Sequence, residues 1–505
     1  MNRRTFLTAT ATATAAGMAG SGALGLTPAY GAPPSAGRVG VAASGRPPAV
    51  ASGDLPASLG PQGCRVHSLD ELREAIARAV PGSVIALADG TYDVTEPITI
   101  TGKRGSRRQP ITVRAESVGG VVLTGEQSFV LSSSSDLTIS GFVFKQRTTL
   151  DLPPDCRRIR LSHNEFQLAD LEGLHWVMVR ADHSTLVRNV WHGKSTLGVY
   201  LGIEGAGSSA MAQGVYVARN HFRDHSFTGS NGGEPIRLGV SPRALSKAGA
   251  VIELNLFERA DGDPEAISVK SSGNVIRRNT IRGSVGGIVL RHGNGNRVEG
   301  NYLLAGGNGI RIYGNDHLVV NNYLERIGGA GIVLGSGSIR DHFPGESAES
   351  RRGNDAPDGV RIGLNTILDC GAGVVGESHR TLPPLGCAIT DNLLVGDTGQ
   401  LIDMPYPDGI EWGGNLTWGA AADGNAPGTA YTRIDPRLAT GADGVRRLTE
   451  RSPAINAATR WYPGVEVDLD GDQRHGRADV GADEYSRRRP AWGPLTAADV
   501  GPFSS

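Results

Sequence analysis

The sequence predicts an all-β chain folded as a single-stranded right-handed parallel β-helix (a solenoid) with an N-terminal capping helix. Two observations carry that reading. The first is an asparagine followed one or two residues later by an apolar residue, recurring at Asn164, Asn189, Asn220, Asn255, Asn279, Asn301, Asn322, Asn365, Asn392 and Asn415. From Asn255 to Asn322 the intervals are 24, 22 and 21 residues, the period of a solenoid. The repeats hold β-branched runs and glycine, without the helical or Leu-x-x-Leu-x-Leu segments of leucine-rich repeats. The second is a set of five segments that align without gaps: Pro235-Ile-Arg-Leu-Gly239, Ala266-Ile-Ser-Val-Lys270, Gly287-Ile-Val-Leu-Arg291, Gly309-Ile-Arg-Ile-Tyr313 and Gly331-Ile-Val-Leu-Gly335. Positions two and four are always aliphatic. Alternate side chains of a strand share a face, so these stack inward and positions three and five point outward. Composition agrees: 72 glycines and only 5% aromatic residues suit many tight turns around aliphatic layers.

The elements follow in order. Arg3 and Arg4, then Thr5, Phe6 and Leu7, resemble a twin-arginine export motif, and Ala29-Tyr30-Gly31 offers small residues for cleavage. Residues 1–31 are therefore expected to be an export signal and the protein to be secreted, although a plain Ala-rich leader would look similar. Gly-, Pro- and Ser-rich residues 32–60 form an expected linker. The coil domain is placed at 61–485 and a C-terminal tail at 486–505. Residues 68–80 predict one helix, with Ser68 as N-cap, Glu71 three residues on, and Leu69, Leu72, Ile76 and Val80 as its apolar stripe. Pro81-Gly82 stops it, and its position suits a plug over the open end of a solenoid. No later apolar run approaches the roughly 18 residues of a membrane span. The four cysteines, Cys64, Cys156, Cys370 and Cys387, match no zinc site. Export would permit a Cys370–Cys387 bridge, and buried single thiols fit as well.

The ladder gathers chemistry from distant parts of the chain. Lys270, Arg291 and Tyr313 fall at the same outward position on three consecutive coils, which lie about 4.8 Å apart. Arg237, Ser268 and Arg311 form a second outward column. Two stacked cations repel by about 1 kcal/mol even in water, and such a neighbour is one route to a lysine that serves as a base. A solvated mixed-charge surface is the plainer reading. Glu234 and Glu265 each sit two residues before an inward Ile, with Asn231 and Asp263 close by. Such an oxygen-rich group suits a hard cation such as Ca²⁺. A structural ion, or carboxylates paired with Arg237, fits the same residues.

Together these parts describe β-elimination on a uronic acid. A cation neutralises the sugar carboxylate, a lysine removes the C5 proton, and an arginine assists departure of the C4 oxygen. Glycoside hydrolysis would instead need a carboxylate pair acting as acid and base.

Several strings resemble the chondroitinase B/alginate lyase family of polysaccharide lyases, family six. They are Asn231-Gly-Gly-Glu234, Asp263-Pro-Glu265-Ala-Ile-Ser-Val-Lys270-Ser-Ser-Gly-Asn274, Leu290-Arg291-His292-Gly293 and Gly309-Ile-Arg311-Ile-Tyr313-Gly-Asn-Asp-His317. The resemblance implies Lys270 as general base, Arg291 as general acid, and Ca²⁺ held by Asn231, Glu234, Asp263 and Glu265. It implies that Arg311, Tyr313, His292 and His317 line the sugar subsites; Arg237, from the second outward column, is a further candidate substrate contact. Asp263 stands where the family more usually has Glu, and Pro235 follows the first string; both bear on metal affinity. Trp191-His-Gly-Lys194 is also similar, which makes Lys194 a candidate sugar contact or a plain surface lysine.

The resemblance therefore points to a secreted lyase acting on an acidic polysaccharide, with alginate favoured over dermatan or chondroitin sulfate. A β-helical glycoside hydrolase of the pectinase type and a non-catalytic glycan-binding β-helix are the rivals. With 50 basic against 51 acidic residues, no global field draws in a polyanion, so the substrate needs a local basic patch. Neither nucleic acid nor a membrane span is expected, and the chain is expected to be a monomer. Residues 338–359, containing His342, Arg351 and Arg352, interrupt the repeat as a wall for the cleft or a disordered loop. Asp468-Leu-Asp470-Gly-Asp472 resembles an EF-hand loop but has Asp479 at the twelfth position, so it is taken as a structural end segment.

Overall fold

Coils wind from the N-terminal helix onward in a computed structural model that describes residues 63–229 and 231–504. The expected export signal and linker lie outside these residues. The helix forms as Leu69–Arg78 (α1), with Ser68 Oγ accepting the Glu71 N–H at 3.2 Å and Glu71 Oε2 reaching back to the His67 N–H at 2.7 Å. It ends before Val80, which is exposed; Ala75 joins Leu72 and Ile76 on the buried face instead. That face packs on Gly63–Val66, Val84–Leu87 and Ile98–Thr101, closing this end of the stack.

Three parallel sheets run the length of the molecule. The first has fourteen strands from Gly63–Val66 to Ile410–Gly413, and the second has fourteen from Gly90–Asp93 to Tyr431–Arg433. The third has eleven, from Leu150–Leu152 to Ala422–Gly424. From Ser135–Ser140 to Ala422–Gly424 each coil contributes one strand to each sheet, while Ile98–Thr101 and Phe129–Ser132 of the first coils pair in a two-stranded parallel sheet of their own; this is the right-handed parallel β-helix expected from the repeat. Right-handed crossovers are the normal outcome for strands with the natural twist.

The recurring asparagines mark the corner between the first and second sheets. Each Oδ1 from Asn189 to Asn415 accepts both the backbone N–H and the Nδ2–H of the asparagine one coil earlier, at 2.9–3.1 Å. All ten are fully buried. The residue before each, from His163 to Gly414, has a left-handed backbone with φ between 53° and 67°. Asparagine suits the place because its short amide both donates and accepts along the stack.

Inside the second sheet the scarce aromatics collect in one column. Phe144, Phe166, Trp191, Phe222 and Phe257 stack with ring centroids 4.6–5.0 Å apart. Ile281, Leu303, Leu324 and Ile367 continue the same column. Low aromatic content therefore conceals a local concentration.

The coils stop at Tyr431–Arg433, earlier than the expected boundary at 485. Residues 434–485 form an appendage that includes an antiparallel pair, Leu438–Thr440 with Arg446–Leu448. Its Leu448, Ala454, Val465 and Val480 cover Val320, Leu364, Leu393 and Leu416. These outward apolar residues of late coils need cover, and more chain supplies it. Residues 486–504 do not trail away: Leu495 and Val500 pack on Leu256, and the Gly501 N–H donates to Arg219 O at 2.9 Å. All four cysteines are free, so the permitted Cys370–Cys387 bridge does not form; burial pushes the Cys156, Cys370 and Cys387 thiols up to about 11. Among the described residues, no helix is long and apolar enough to cross a membrane.

Asn301→Ala should test the ladder. It leaves the buried Asn279 N–H without its acceptor and removes the Asn301 Nδ2 donor from Asn322. Unfolding free energy from urea titration should fall by about 2–4 kcal/mol; an unchanged midpoint would mean the ladder is not stabilising.

Candidate active site

The third sheet presents the candidate residues. Ile236, Ile267, Ile288, Ile310 and Ile332 pair in register across five coils, as do Leu238, Val269, Leu290, Ile312 and Leu334, and all ten are fully buried. The intervening column Arg237, Ser268, Val289, Arg311 and Val333 is in the register read from the sequence. The gapless alignment fails at two places. Pairing passes from Glu265↔Gly287 to Ile267↔Ile288, making Ala266 an extra residue. It then passes from Val269↔Leu290 to Lys270↔His292, making Arg291 the extra one. Lys270 is thus opposite His292, and Arg291 protrudes from a bulge on the adjacent strand. Bulges re-aim side chains, and these two lie just outside the paired aliphatics Ile267–Val269 and Ile288–Leu290, whose spacing therefore gives no sign of them.

Lys270 Nζ lies 3.0 Å from Glu234 Oε1, with the lysine side chain 13% exposed and the glutamate 1%. The other Glu234 oxygen, Oε2, is buried without a hydrogen-bond partner. Asp263 lies beside it, accepting the Gly232 and Glu265 N–H groups at 2.9 and 3.0 Å. Burial, and then the charges of Glu234 and Glu265, push the Asp263 carboxyl up to about 7. Glu265 accepts from Arg311 Nη2 at 3.1 Å, and Asn231 is exposed. Three crowded carboxylates, one with an orphaned oxygen, and a side-chain amide form a donor set fit for a hard cation. Among the described residues, the one group of three acidic side chains with oxygens mutually within 4.8 Å is elsewhere, at Asp468, Asp470 and Asp483 in the appendage. There Asp468 accepts the Asp470, Asp472 and Glu484 N–H groups at 2.7–3.0 Å, holding the end segment together.

Tyr313, at the position the alignment read as outward, lines the cavity yet is buried, because cations cover its ring. The guanidinium carbons of Arg291, Arg311 and Arg380 lie 5.6, 5.9 and 5.1 Å from its centroid. The ring's negative face attracts them. The Tyr313 hydroxyl bonds both Glu377 oxygens at 2.8 and 2.9 Å, and Arg380 Nη1 reaches Glu377 Oε2 at 2.7 Å. Asn231, Glu265, Arg291, Arg311, Tyr313 and Arg380 line an open cavity of about 310 Å³. Arg237 stands farther along the outward column, 3.6 Å from Glu204. Sequence reasoning missed Glu377 and Arg380. One more rung of the ladder would have found the first, since Val374 pairs with Ile332 and Gly376 with Leu334 just before Glu377.

Three expected sugar contacts are placed otherwise. His317 is 1% exposed and occupies a second corner ladder, Asn274–Asn296–His317. Its Nδ1 accepts the Asn296 N–H at 3.0 Å and its Nε2 faces Tyr313 O at 2.9 Å, so it replaces an asparagine. His292 is 2% exposed, with Nε2 3.0 Å from Ser241 Oγ and its ring 6.1 Å from that of His342. Lys194 belongs to the second sheet and is fully buried; Nζ donates to Thr196 Oγ1 at 2.8 Å and Leu171 O at 3.2 Å, near Asp170 and Trp176. Residues 338–359 are ordered, with His342, Arg351 and Asn354 buried.

The chondroitinase B family model matches residues 66–371, more than half of the chain. The alginate lyase AlyGC of polysaccharide lyase family six is similar at 26% identity and a TM-score of 0.69, covering 80% of this chain and 60% of AlyGC. The chain thus spans about 60% of that enzyme's length. A mannuronic acid specific family six lyase from human gut microbiota superposes at 22% identity and TM-score 0.68, covering 74% of this chain and 91% of that one. The family six lyase Pedsa3628 from Pseudopedobacter saltans does so at 23% and 0.62, covering 87% and 99%. No curated protein sequence matches the chain significantly.

The buried histidines generate a pH prediction. Burial lowers His317 to about 4 and His292 to about 3, below the ordinary 6.5. The unfolded chain therefore binds more protons than the native one between these values. Their stabilising contribution is complete above pH 6.5 and declines as pH falls, by up to about 1.4 kcal/mol per pH unit for each histidine. Protonated His317 also could not accept the Asn296 N–H. Urea midpoints at pH 7 and pH 4.5 should differ less in His317→Asn than in the wild type; equal differences would refute the assignment.

Proposed function

This chain belongs to polysaccharide lyase family six, the chondroitinase B family, and from that premise we propose that it cleaves a uronic-acid polysaccharide by β-elimination, alginate being the favoured substrate. The carrying observation is the bulge that sets Arg291 on the strand next to Lys270, beside a cavity edged by further cations. In this reading Lys270 Nζ removes the C5 proton of a uronate. The electron pair left at C5 forms the C4–C5 double bond as the C4–O bond breaks. Arg291 supplies the proton to the departing oxygen. Arg311 and Arg380, over the Tyr313 ring, bind neighbouring sugar carboxylates in exchange for Glu265 and Glu377.

Asn231, Glu234, Asp263 and Glu265 would hold Ca²⁺, with Glu234 exchanging its contact to Lys270. When bound, the ion supplies positive charge that neutralises the uronate carboxylate and stabilises the charge developing at C5. Alginate is favoured by the similarity to AlyGC, an alginate lyase. Dermatan or chondroitin sulfate is the second reading, favoured by the chondroitinase B family match. Pectinase-type hydrolysis is disfavoured because a carboxylate pair acting as acid and base has no use for Lys270 and Arg291. Glycan binding without turnover would leave the Lys270–Arg291 juxtaposition without a purpose. Export by the twin-arginine-like leader, and action as a secreted monomer, belong to the same proposal.

Incubation with alginate, its separate mannuronate and guluronate blocks, and dermatan sulfate should yield ultraviolet-absorbing unsaturated products from at least one polymer. Products heavier by one water would mean hydrolysis instead. Lys270→Ala should lower turnover by about 10²–10⁴-fold with little change in melting temperature; retained turnover removes the lysine from the mechanism. Chelation should suppress activity and added Ca²⁺ restore it, whereas full activity after thorough demetallation would exclude the cation.

A further inference from the structure

We propose that the 338–359 insertion is a positioning element for Arg291, and that Asn354 holds the guanidinium through a neutral acceptor. This rests on the proposed lyase reading and names a residue that acts through Arg291. The insertion leaves the coil between Ala330–Leu334 and Arg361–Gly363 and is bonded into a fixed shape. The Ser338 N–H donates to Asn354 O at 2.9 Å, Ala356 N–H to Ile339 O at 2.8 Å, and Asp341 N–H to Asp355 Oδ1 at 2.8 Å. His342 Nε2 faces Gly353 O at 3.1 Å, and Arg351 Nη2 donates to Phe343 O at 2.6 Å. Asn354 is 4% exposed, so its side chain has little freedom.

Arg291 Nη1 donates to Asn354 Oδ1. The nearby cations are held differently: Lys270 by Glu234, Arg311 by Glu265, Arg380 by Glu377 and Arg237 by Glu204. Each of those pairs brings a carboxylate that offsets the cation, and Arg291 is oriented by an amide that does not. Asn354 Nδ2 is buried with no hydrogen-bond partner. A guanidinium has no acceptor, so the amide must turn its oxygen to Arg291 and strand its nitrogen. Aspartate would accept the same hydrogen bond without an orphaned donor, so fold stability alone does not call for asparagine. Neutrality matters because an ionised partner favours the charged guanidinium and opposes its giving a proton to the leaving oxygen. The amide fixes direction and leaves the full charge to the substrate.

The test measures kcat and KM of the full chain on whichever polymer gives unsaturated product, for wild type, Asn354→Ala, Asn354→Asp and the control Phe343→Ser at an exposed insertion site. Asn354→Ala should lower kcat by about 10–100-fold with KM changed by less than about threefold, as misorientation of a reacting group does. Asn354→Asp should also lower kcat, by about tenfold or more, although it keeps the shape and the acceptor. It keeps the idea open to refutation should the alanine variant fail to fold. Wild-type kcat in Asn354→Asp overturns the proposal. So does an Asn354→Ala defect confined to KM, or an equal loss of kcat in Phe343→Ser. If wild type turns over and the Asn354 variants match it, the positioning role alone falls. If wild type makes no unsaturated product from any polymer, the lyase reading falls and takes this proposal with it.

Discussion

The inward stacking of aliphatic side chains in the third sheet is the constraint on which the rest depends. Five isoleucines and five further aliphatics, in two adjacent columns, are excluded from water. Burying each such side chain stabilises by about 1.5–3 kcal/mol, so the set outweighs any single polar contact on the outer face. A slip of one residue would send Arg237, Ser268 and Arg311 inward and the isoleucines out. That penalty fixes which residues face a ligand before any electrostatic preference applies. The exceptions are the two bulges, where one residue is added without disturbing the columns. Glu265, Lys270 and Arg291 all lie at or beside them. The core sets the register, and local departures from it aim the reactive groups.

Charge on this face follows a rule of its own. Most cations carry their own carboxylate, which keeps the groove near neutral. Under the proposed function, a uronate entering the groove would exchange one carboxylate for another at Arg311 or Arg380, so orientation would change more than net charge. Arg291 departs from the rule, and so does the group of Glu234, Asp263 and Glu265, where negative charge exceeds its local compensation. The two departures have opposite sign and lie on the same face.

How much of this was legible in the sequence depends on whether a feature repeats. The asparagine corners and the inward columns repeat every coil, so ten and five copies respectively reported them. Lys270, Arg291, Arg311 and the carboxylates were found because they lie on or next to that repeat. The bulge at Arg291 was not, since it falls after the last inward aliphatic, Leu290, and leaves the Ile288–Leu290 spacing untouched. His292 and His317 share a motif with site residues yet point into the wall. A motif gives proximity along the chain, whereas burial is decided by which side of the strand each residue takes. Lys194 failed for another reason: its strand belongs to a different sheet. Asn354 and Arg380 come from segments without periodicity, which sequence patterns cannot place. The aromatic column of the second sheet went unseen because composition averages over the whole chain.

The left-handed corner residues show how the same repeat serves a second purpose. A non-glycine residue in that conformation costs about 1–2 kcal/mol, and glycine would avoid it. Yet Arg188, Arg219, Arg278, Asn321 and Asp391 stand at these corners. Their groups hold the C-terminal segment. Arg188 Nη1 donates to Ser504 Oγ at 3.1 Å, the Arg278 guanidinium stacks 3.4 Å from the Trp492 centroid, and Asn321 Nδ2 donates to Val467 O at 2.8 Å. Asp391 accepts the Thr459 N–H at 2.6 Å and its carbonyl accepts the Gly481 N–H at 3.0 Å. Glycine would relax the corner and lose the side-chain grip. Contacts with the returning chain therefore offset backbone strain coil by coil. By drawing residues 434–504 along the corner between the first and second sheets, those contacts cover apolar coil residues there and leave the charged face of the third sheet uncovered.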